Sequence, residues 1–67
     1  MNQQEQRQIA AGAARSQLRK IGNELTIQNA ELVLDDMARS QPDLVASQWY
    51  LNASDSQWKT FKKEWKS

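Results

Sequence analysis

The 67-residue sequence contains no cysteine and no histidine. Without cysteine no disulfide can form, and without either residue type the usual ligand sets of zinc and haem are missing. We therefore expect no cofactor. The same absence removes the Ser–His and Cys–His pairs on which much nucleophilic catalysis depends. The sequence thus predicts a protein that is not an enzyme.

Glycine and long apolar runs are also scarce. The two glycines, Gly12 and Gly22, are too few for a glycine-rich phosphate loop. No apolar run approaches the ~18–20 residues that a membrane-spanning helix needs, and none follows a basic start as in a secretory signal. We therefore expect a cytoplasmic protein with no membrane span, and the lack of cysteine fits a reducing compartment.

A chain this short can build only a small core. A domain of this size buries about 60% of the surface that its unfolded chain exposes, and such cores seldom supply more than about 3–5 kcal/mol. Because disulfides are excluded, association with another chain is the common remaining source of stability. We expect residues 1–67 to form one small domain that assembles as a homodimer or a larger oligomer.

The net charge of +1 conceals three blocks of alternating sign. Residues 1–23 hold four basic side chains and one acidic one, residues 24–57 hold one basic and six acidic, and residues 58–67 hold four basic and one acidic. Such a chain can neutralise itself by folding back or by pairing with a second copy, and its basic ends could also bind phosphate. The candidate contacts to a protein partner or to nucleic acid are Arg7, Arg15, Arg19, Lys59, Lys62, Lys63 and Lys66.

The stretch 24–39 is the most aliphatic part of the chain and shows a helical period. Two apolar rows cross it: one runs through Leu18, Ile21, Leu25 and Leu32, and the other through Ile27, Ala30, Leu34 and Met37. The first row passes Gly22 without losing phase, so we favour one long helix over about residues 6–39, bent or broken near Gly22. The alternative is two helices joined at Gly22-Asn23. Residues 1–7 have nothing to bury, and we expect them to fray.

Four alanines surround Gly12 and would give the first helical segment a smooth surface. This surface is either a weakly buried helix face or a place where a second helix can approach closely. The candidate dimer face comprises Ala11, Ala14, Leu18, Ile21 and Leu25.

Pro42 marks the clearest boundary, because proline cannot continue a helix and is favoured in the first turn of a new one. A short helix should therefore run from about residue 41 to about residue 52. After a turn, Ser54 and Gln57 form a capping-box pattern that starts a last helix. Strand patterns are weak throughout. We predict an all-α fold, a small helical bundle in which two short C-terminal helices pack on the long N-terminal one.

The last helix places Trp58, Phe61 and Trp65 on one face, with lysines beside them. We expect these rings to pack in the core against the 24–39 helix. The expected core residues are Trp49, Trp58, Phe61 and Trp65 against Leu25, Leu32, Leu34 and Met37. On this view, replacing Leu32 with Asp should unfold the domain. The alternatives to core packing are that the rings form a face that binds a protein partner, a surface on which bases stack, or the apolar side of a helix at a membrane surface.

Two further patterns have weaker support. Glu31, Asp35 and Asp36 form an acidic cluster that is typical of a solvated helix face, or of a partner for Lys59, Lys62 or Lys63, rather than of a Mg²⁺ site. A helix-turn-helix reader of DNA would have to use the last two helices, in which Gln57 and Thr60 are the only plausible base-reading side chains.

These observations predict a non-enzymatic interaction or regulatory protein that works by protein–protein binding as a homodimer. Its size and composition are typical of small accessory proteins of bacteria, phages and plasmids, an analogy that carries no information about a site. The alternative is a nucleic-acid-binding regulator that uses the basic N-terminal and C-terminal segments.

Overall fold

A computed structural model describes residues 2–65 of the chain. The described part contains four helices and no strand: α1 (Gln3–Ile21), α2 (Ile27–Ser40), α3 (Val45–Asn52) and α4 (Asp55–Trp65). The predicted all-α helical bundle is therefore confirmed. The radius of gyration of 10.8 Å is close to the value of about 11 Å for a packed chain of this length. Within residues 2–65, none of the helices is long and apolar enough to cross a bilayer.

The first two helices are separate, which corrects the single long helix that we favoured. Gly22 adopts a left-handed conformation with φ 74° and ψ 24°. The N–H of Gly22 donates to the carbonyl of Arg19 at 3.2 Å, and the N–H of Asn23 donates to that of Leu18 at 2.9 Å. This pair of hydrogen bonds is the Schellman motif, which closes the C-terminal end of a helix.

The second helix has its own start signal. The hydroxyl of Thr26 accepts a hydrogen bond from the N–H of Asn29 at 3.1 Å, as an N-cap residue does. Since α1 and α2 are each capped, the apolar row that crosses Gly22 is a coincidence of spacing. The two-helix alternative is the correct interpretation.

α1 begins nearer to the N-terminus of the chain than we expected, at Gln3. The side chain of Asn2 accepts a hydrogen bond from the N–H of Glu5 at 2.8 Å and caps the helix. Arg7, in the second turn, is only 9% exposed. Residues 3–7 thus belong to α1, the fraying of residues 1–7 stays a prediction, and residue 1 lies outside the described residues.

The C-terminal helices follow the predicted boundaries with one shift. α3 begins at Val45 because residues 42–44 form a turn, in which the N–H of Leu44 donates to the carbonyl of Gln41 at 3.3 Å. The hydroxyl of Ser47 donates to the same carbonyl at 2.7 Å and ties the turn to α3. The start of α4 is as predicted, since the Ser54 hydroxyl accepts from the N–H of Gln57 at 3.2 Å.

The core sets small side chains of α1 and α2 against aromatic rings of α3 and α4. Phe61 is 1% exposed, and its ring centroid lies 4.8 Å from Trp58, 5.0 Å from Trp49 and 5.6 Å from Trp65. Such ring pairs add about 0.5–1.5 kcal/mol each beyond the area they bury. The buried cluster consists of Ala10, Ala14, Leu18, Ala30, Leu34, Ala46, Trp49, Phe61 and Trp65.

The core face of α2 is the second of the two predicted apolar rows. Ala30 and Leu34 are fully buried, and Met37 is partly buried and packs against the core cluster. Leu32 is instead 67% exposed, and Leu25 is 42% exposed. Their predicted places in the core are wrong, because they were assigned from a helix phase that ends at Gly22. The expectation that Leu32→Asp unfolds the domain loses its basis for the same reason.

Candidate functional site

A groove of about 650 Å³ opens between α1, the connection from α1 to α2, and the last turns of α4. Its volume lies within the range of about 300–1,000 Å³ that is typical of binding sites. The residues that line it are Arg15, Leu25, Thr26, Ile27, Lys62, Lys63 and Trp65. Three of these side chains are apolar, three are cationic, and among the described lining residues none is acidic. We call this feature the basic groove.

Trp65 forms part of the apolar floor of the basic groove and is held in place from two sides. Its indole N–H donates to the backbone carbonyl of Leu25 at 3.0 Å, and its ring stacks on Phe61. Trp65 as a whole is only 8% exposed. The hydrogen bond fixes the end of α4 against the connection between α1 and α2, so the floor and one wall of the groove are joined.

Arg15 projects from α1 over the same ring. Its guanidinium carbon lies 4.4 Å from the centroid of the Trp65 ring, a cation–π contact. Such contacts are worth about 0.5–1 kcal/mol at exposed sites and about 2 kcal/mol when water is excluded. Arginine also offers its N–H donors in a planar fork that matches a carboxylate. Arg15 is therefore a positioned cation at the edge of an apolar surface.

Lys62 and Lys63 supply the remaining positive charge from the last turns of α4. Both side chains are exposed, and within residues 2–65 neither forms an ion pair. Lysines at this end of a helix also complement the helix dipole. The two lysines are available to an anionic ligand, whereas the apolar floor favours a ligand with an apolar side.

The other predicted basic contacts are divided among different places. Arg7 is committed to the fold: its guanidinium donates to both carboxylate oxygens of Glu64, at 2.7 and 3.1 Å, and to Gln57 at 3.2 Å. The hydrogen bond with Glu64 raises the pKa of Arg7 and lowers the pKa of Glu64. Arg19 and Lys59 are exposed and do not line the basic groove. Lys66 lies outside the described residues.

The predicted dimer face does not form one surface. Ala14 and Leu18 are fully buried in the core of a single chain, and Ala11 packs partly against that core. Ile21 is half-exposed, and Leu25 lines the basic groove. A second copy could reach Ala14 and Leu18 only if the core opened.

Within residues 2–65 the acidic cluster on α2 forms no ion pair with the lysines that the sequence offered as candidate partners. Asp35 forms an ion pair with Arg39 at 2.8 Å and accepts a hydrogen bond from the Tyr50 hydroxyl at 3.3 Å. Burial, and then the charge of Asp35, raises the pKa of Tyr50. Glu31 and Asp36 are exposed, and no ion pair in residues 2–65 joins either of them to a lysine. The described residues contain no group of three or more side chains that could hold a metal ion.

The side chains that a DNA-reading last helix would need make hydrogen bonds within the chain. The amide of Gln57 accepts from Arg7 and donates to Gln3 at 2.8 Å. The Thr60 hydroxyl donates to the carbonyl of Ser56 at 3.1 Å. The most accessible ring of the last helix, Trp58, is still partly buried. The candidate base-reading side chains of this helix are therefore engaged within the chain, whereas Lys59, Lys62 and Lys63 are exposed.

A comparison with protein families, curated proteins and solved structures finds no match for this chain. The arrangement of the basic groove is therefore the basis for a functional proposal.

Proposed function

We propose that this protein is a small, non-enzymatic interaction protein whose basic groove binds an acidic segment of a partner protein. The observation that carries the proposal is the placement of Arg15, Lys62 and Lys63 around an apolar floor. This proposal keeps the leading prediction from the sequence, a regulatory or accessory protein of the cytoplasm that associates as a homodimer.

The chemistry of the groove specifies the partner segment. Trp65, Leu25 and Ile27 form a surface that an apolar side chain can cover, which favours binding by removing apolar area from water. Carboxylates beside that side chain would meet the three cations, which steer association and fix orientation. An amphipathic acidic helix has both features, and a helix in a groove is a recurrent mode of peptide recognition.

A labelled peptide tests this proposal. The probe is a helical peptide of about 15 residues, near the shortest length for a stable helix in water, with leucines along one face and glutamates beside them. Fluorescence anisotropy should show saturable binding to the wild-type protein. Lys62→Glu combined with Lys63→Glu should weaken binding by about tenfold or more, because the reversed charges repel the peptide.

A matched pair of substitutions outside the groove provides the control. Lys20→Glu combined with Lys59→Glu produces the same change in net charge on exposed positions, and it should change the affinity by less than about twofold. Equal losses in the two double variants would show that only net charge matters, and would contradict the proposal. Equal binding of a peptide with lysines in place of glutamates would also contradict it.

The nucleic-acid alternative has less support, because the base-reading candidates Gln57 and Thr60 are engaged within the chain and the rings of α4 are largely buried. Its remaining basis is the exposed positive charge of the groove together with Arg19 and Lys59. A nucleic-acid-binding protein should shift DNA or RNA oligonucleotides at low salt, with an affinity that falls linearly with salt on a log–log scale. Absence of a shift at low salt would remove this alternative.

A further inference from the structure

We infer that the segment bound in the basic groove is the outward face of α2 on a second copy of this chain. The inference rests on the proposed role of the groove as a protein-binding site, and it names the partner.

The outward face of α2 is an acidic surface with an apolar centre. Leu32 is 67% exposed, more than any other large apolar side chain in residues 2–65. It lies on the side of α2 opposite the buried Ala30 and Leu34, and Asp36 follows it by one helical turn. Glu31 and Asp36 lie on either side of Leu32 and are both exposed. This surface has the composition that the groove would select: one large aliphatic side chain between carboxylates.

Within one chain, the positive charge of the groove and the negative charge of the α2 face do not neutralise each other. Lys62 and Lys63 form no ion pair in the described part, and neither do Glu31 and Asp36. Folding back was one of the ways in which the basic–acidic–basic sequence could neutralise itself, but the ion pairs in residues 2–65 are Arg7–Glu64 and Arg39–Asp35. Charge complementarity therefore points to contact between copies.

The apolar parts of the two surfaces also match. Leu32 exposes a branched aliphatic side chain, and the groove floor offers Leu25, Ile27 and the edge of Trp65. Insertion of Leu32 would cover this floor while Glu31 and Asp36 approach the lysines. A small chain without disulfides gains stability when a second copy covers apolar surface in this way, because its own core is limited.

Each contact joins two different surfaces, the groove of one copy and the α2 face of the other. Two copies can exchange this contact twice about a twofold axis and form a homodimer, or pass it head to tail into rings or open chains, depending on the rotation between copies. In every case a contact needs one intact groove and one intact face, which permits a mixing experiment.

The experiment uses two double variants of the full chain. The groove variant carries Lys62→Glu and Lys63→Glu, and the face variant carries Leu32→Gln and Asp36→Lys. All four positions are exposed, and circular dichroism should show native helix content in both proteins. Sedimentation equilibrium is recorded from about 10 μM to about 1 mM chain, a range that spans weak self-association, in about 0.15 M salt, where net-charge attraction is screened beyond about 8 Å.

We expect the wild-type mass to rise with concentration above the 7.7 kDa of one chain. Each variant alone should remain at the mass of one chain, because one half of every contact is missing. An equimolar mixture should regain association and stop at two chains, since the intact groove of the face variant can bind only the intact face of the groove variant. Asp43→Lys, which matches the charge change of Asp36→Lys at another exposed position, should associate like the wild type.

A wild-type protein that sediments as one chain up to about 1 mM would overturn this inference. So would a mixture of the two variants that fails to associate, or a groove variant that associates as well as the wild type. The proposed function is tested separately with the acidic peptide: a monomeric wild type that binds the peptide would remove the second copy as partner and leave the groove as a protein-binding site.

Discussion

At the scale of the residue, Phe61 is the centre of the core. It is 1% exposed, and three tryptophan rings surround it within 6 Å between centroids. Leu32 is its opposite, a large apolar side chain that the fold leaves in solvent. Both residues belong to apolar rows at helical spacing, so the sequence pattern alone does not distinguish them. The difference arises from how the helices are placed.

This contrast gives a stability prediction. Phe61→Ala should lower the free energy of unfolding by about 3–5 kcal/mol, through lost burial and the cavity left behind. Since that is about the whole stability of so small a core, the variant should be largely unfolded at 25 °C. Leu32→Gln, in contrast, should change the stability by less than about 0.5 kcal/mol. Urea titration followed by circular dichroism measures both. Comparable losses in the two variants would contradict the assignment of the core.

The Arg7–Glu64 pair gives a pH prediction. The hydrogen bond from Arg7 lowers the pKa of Glu64 below its ordinary value of 4.5. A carboxyl whose pKa is lower in the folded state stabilises the fold above its unfolded-state pKa, and this contribution is lost as the pH falls through the folded-state pKa. The melting temperature of Glu64→Gln should therefore lie below that of the wild type at neutral pH, with a difference that shrinks below about pH 4.5.

The Glu64→Gln comparison is made by thermal melts in a series of buffers from neutral pH to acid. Asp43→Asn is the control, because Asp43 is exposed and forms no ion pair within residues 2–65. A difference between wild type and Glu64→Gln that stays constant down to strongly acid pH would show that the carboxylate charge does not matter in this contact.

At the scale of the element, the break between α1 and α2 decides which apolar residues are buried. Gly22 has a positive φ of 74°, a conformation that L-residues with a side chain adopt only at a cost. Gly12 lies within α1 in ordinary helical geometry, and a Cβ atom at either glycine would meet nothing within 4 Å. The two glycines therefore differ in backbone conformation alone.

Alanine substitutions at the two glycines should have effects of opposite sign. Gly22→Ala should destabilise the fold by about 1–2 kcal/mol, the cost of a left-handed conformation for an L-residue. Gly12→Ala should stabilise it by up to about 1 kcal/mol, because alanine is the better helix former. Thermal or urea unfolding of the two variants checks this. If Gly22→Ala were also stabilising, the chain would be helical through residue 22 and the single long helix would be restored.

The sequence predicted the type of every element more reliably than the packing between elements. Pro42 and the Ser54–Gln57 pattern place the last two helices nearly as observed, because both act through local backbone geometry. The sequence pattern could not distinguish a break at Gly22 from a continuous helix, since the spacing of Leu18 and Leu25 is compatible with either. The deciding hydrogen bonds at Asn23 and Thr26 are local, but the same residue types also occur inside helices.

The burial of the α1 alanines is a second feature that the hydrophobic pattern of the sequence did not predict. Ala10 and Ala14 are fully buried, although a helix with few large apolar residues looks weakly amphipathic. Small side chains let α1 lie close to its neighbours, and the aromatic rings of α3 and α4 supply the volume of the core. Alanine does not reveal this role in a hydrophobic pattern, because its burial depends on the size of the side chains opposite.

At the scale of the whole molecule, charge is segregated. The basic groove collects Arg15 from α1 and two lysines from α4, whereas the exposed carboxylates Glu31 and Asp36 project from α2. Each of the three groove cations was a candidate contact from the sequence. Their convergence was not predictable, because it depends on the return of α4 to the connection between α1 and α2, about 40 residues away along the chain. That return also makes Leu25, an expected core residue, part of the lining of the basic groove.

The hydrogen bond from Trp65 to Leu25 has a consequence for how this surface could change over evolutionary time. The indole N–H binds the main-chain carbonyl, which every amino acid possesses, and not the side chain of Leu25. Position 25 can therefore accept other side chains while α4 stays anchored. The side chain at this position is half-exposed and lines the floor. Selectivity for an incoming apolar group can thus drift at one site, with little penalty for the architecture that presents it.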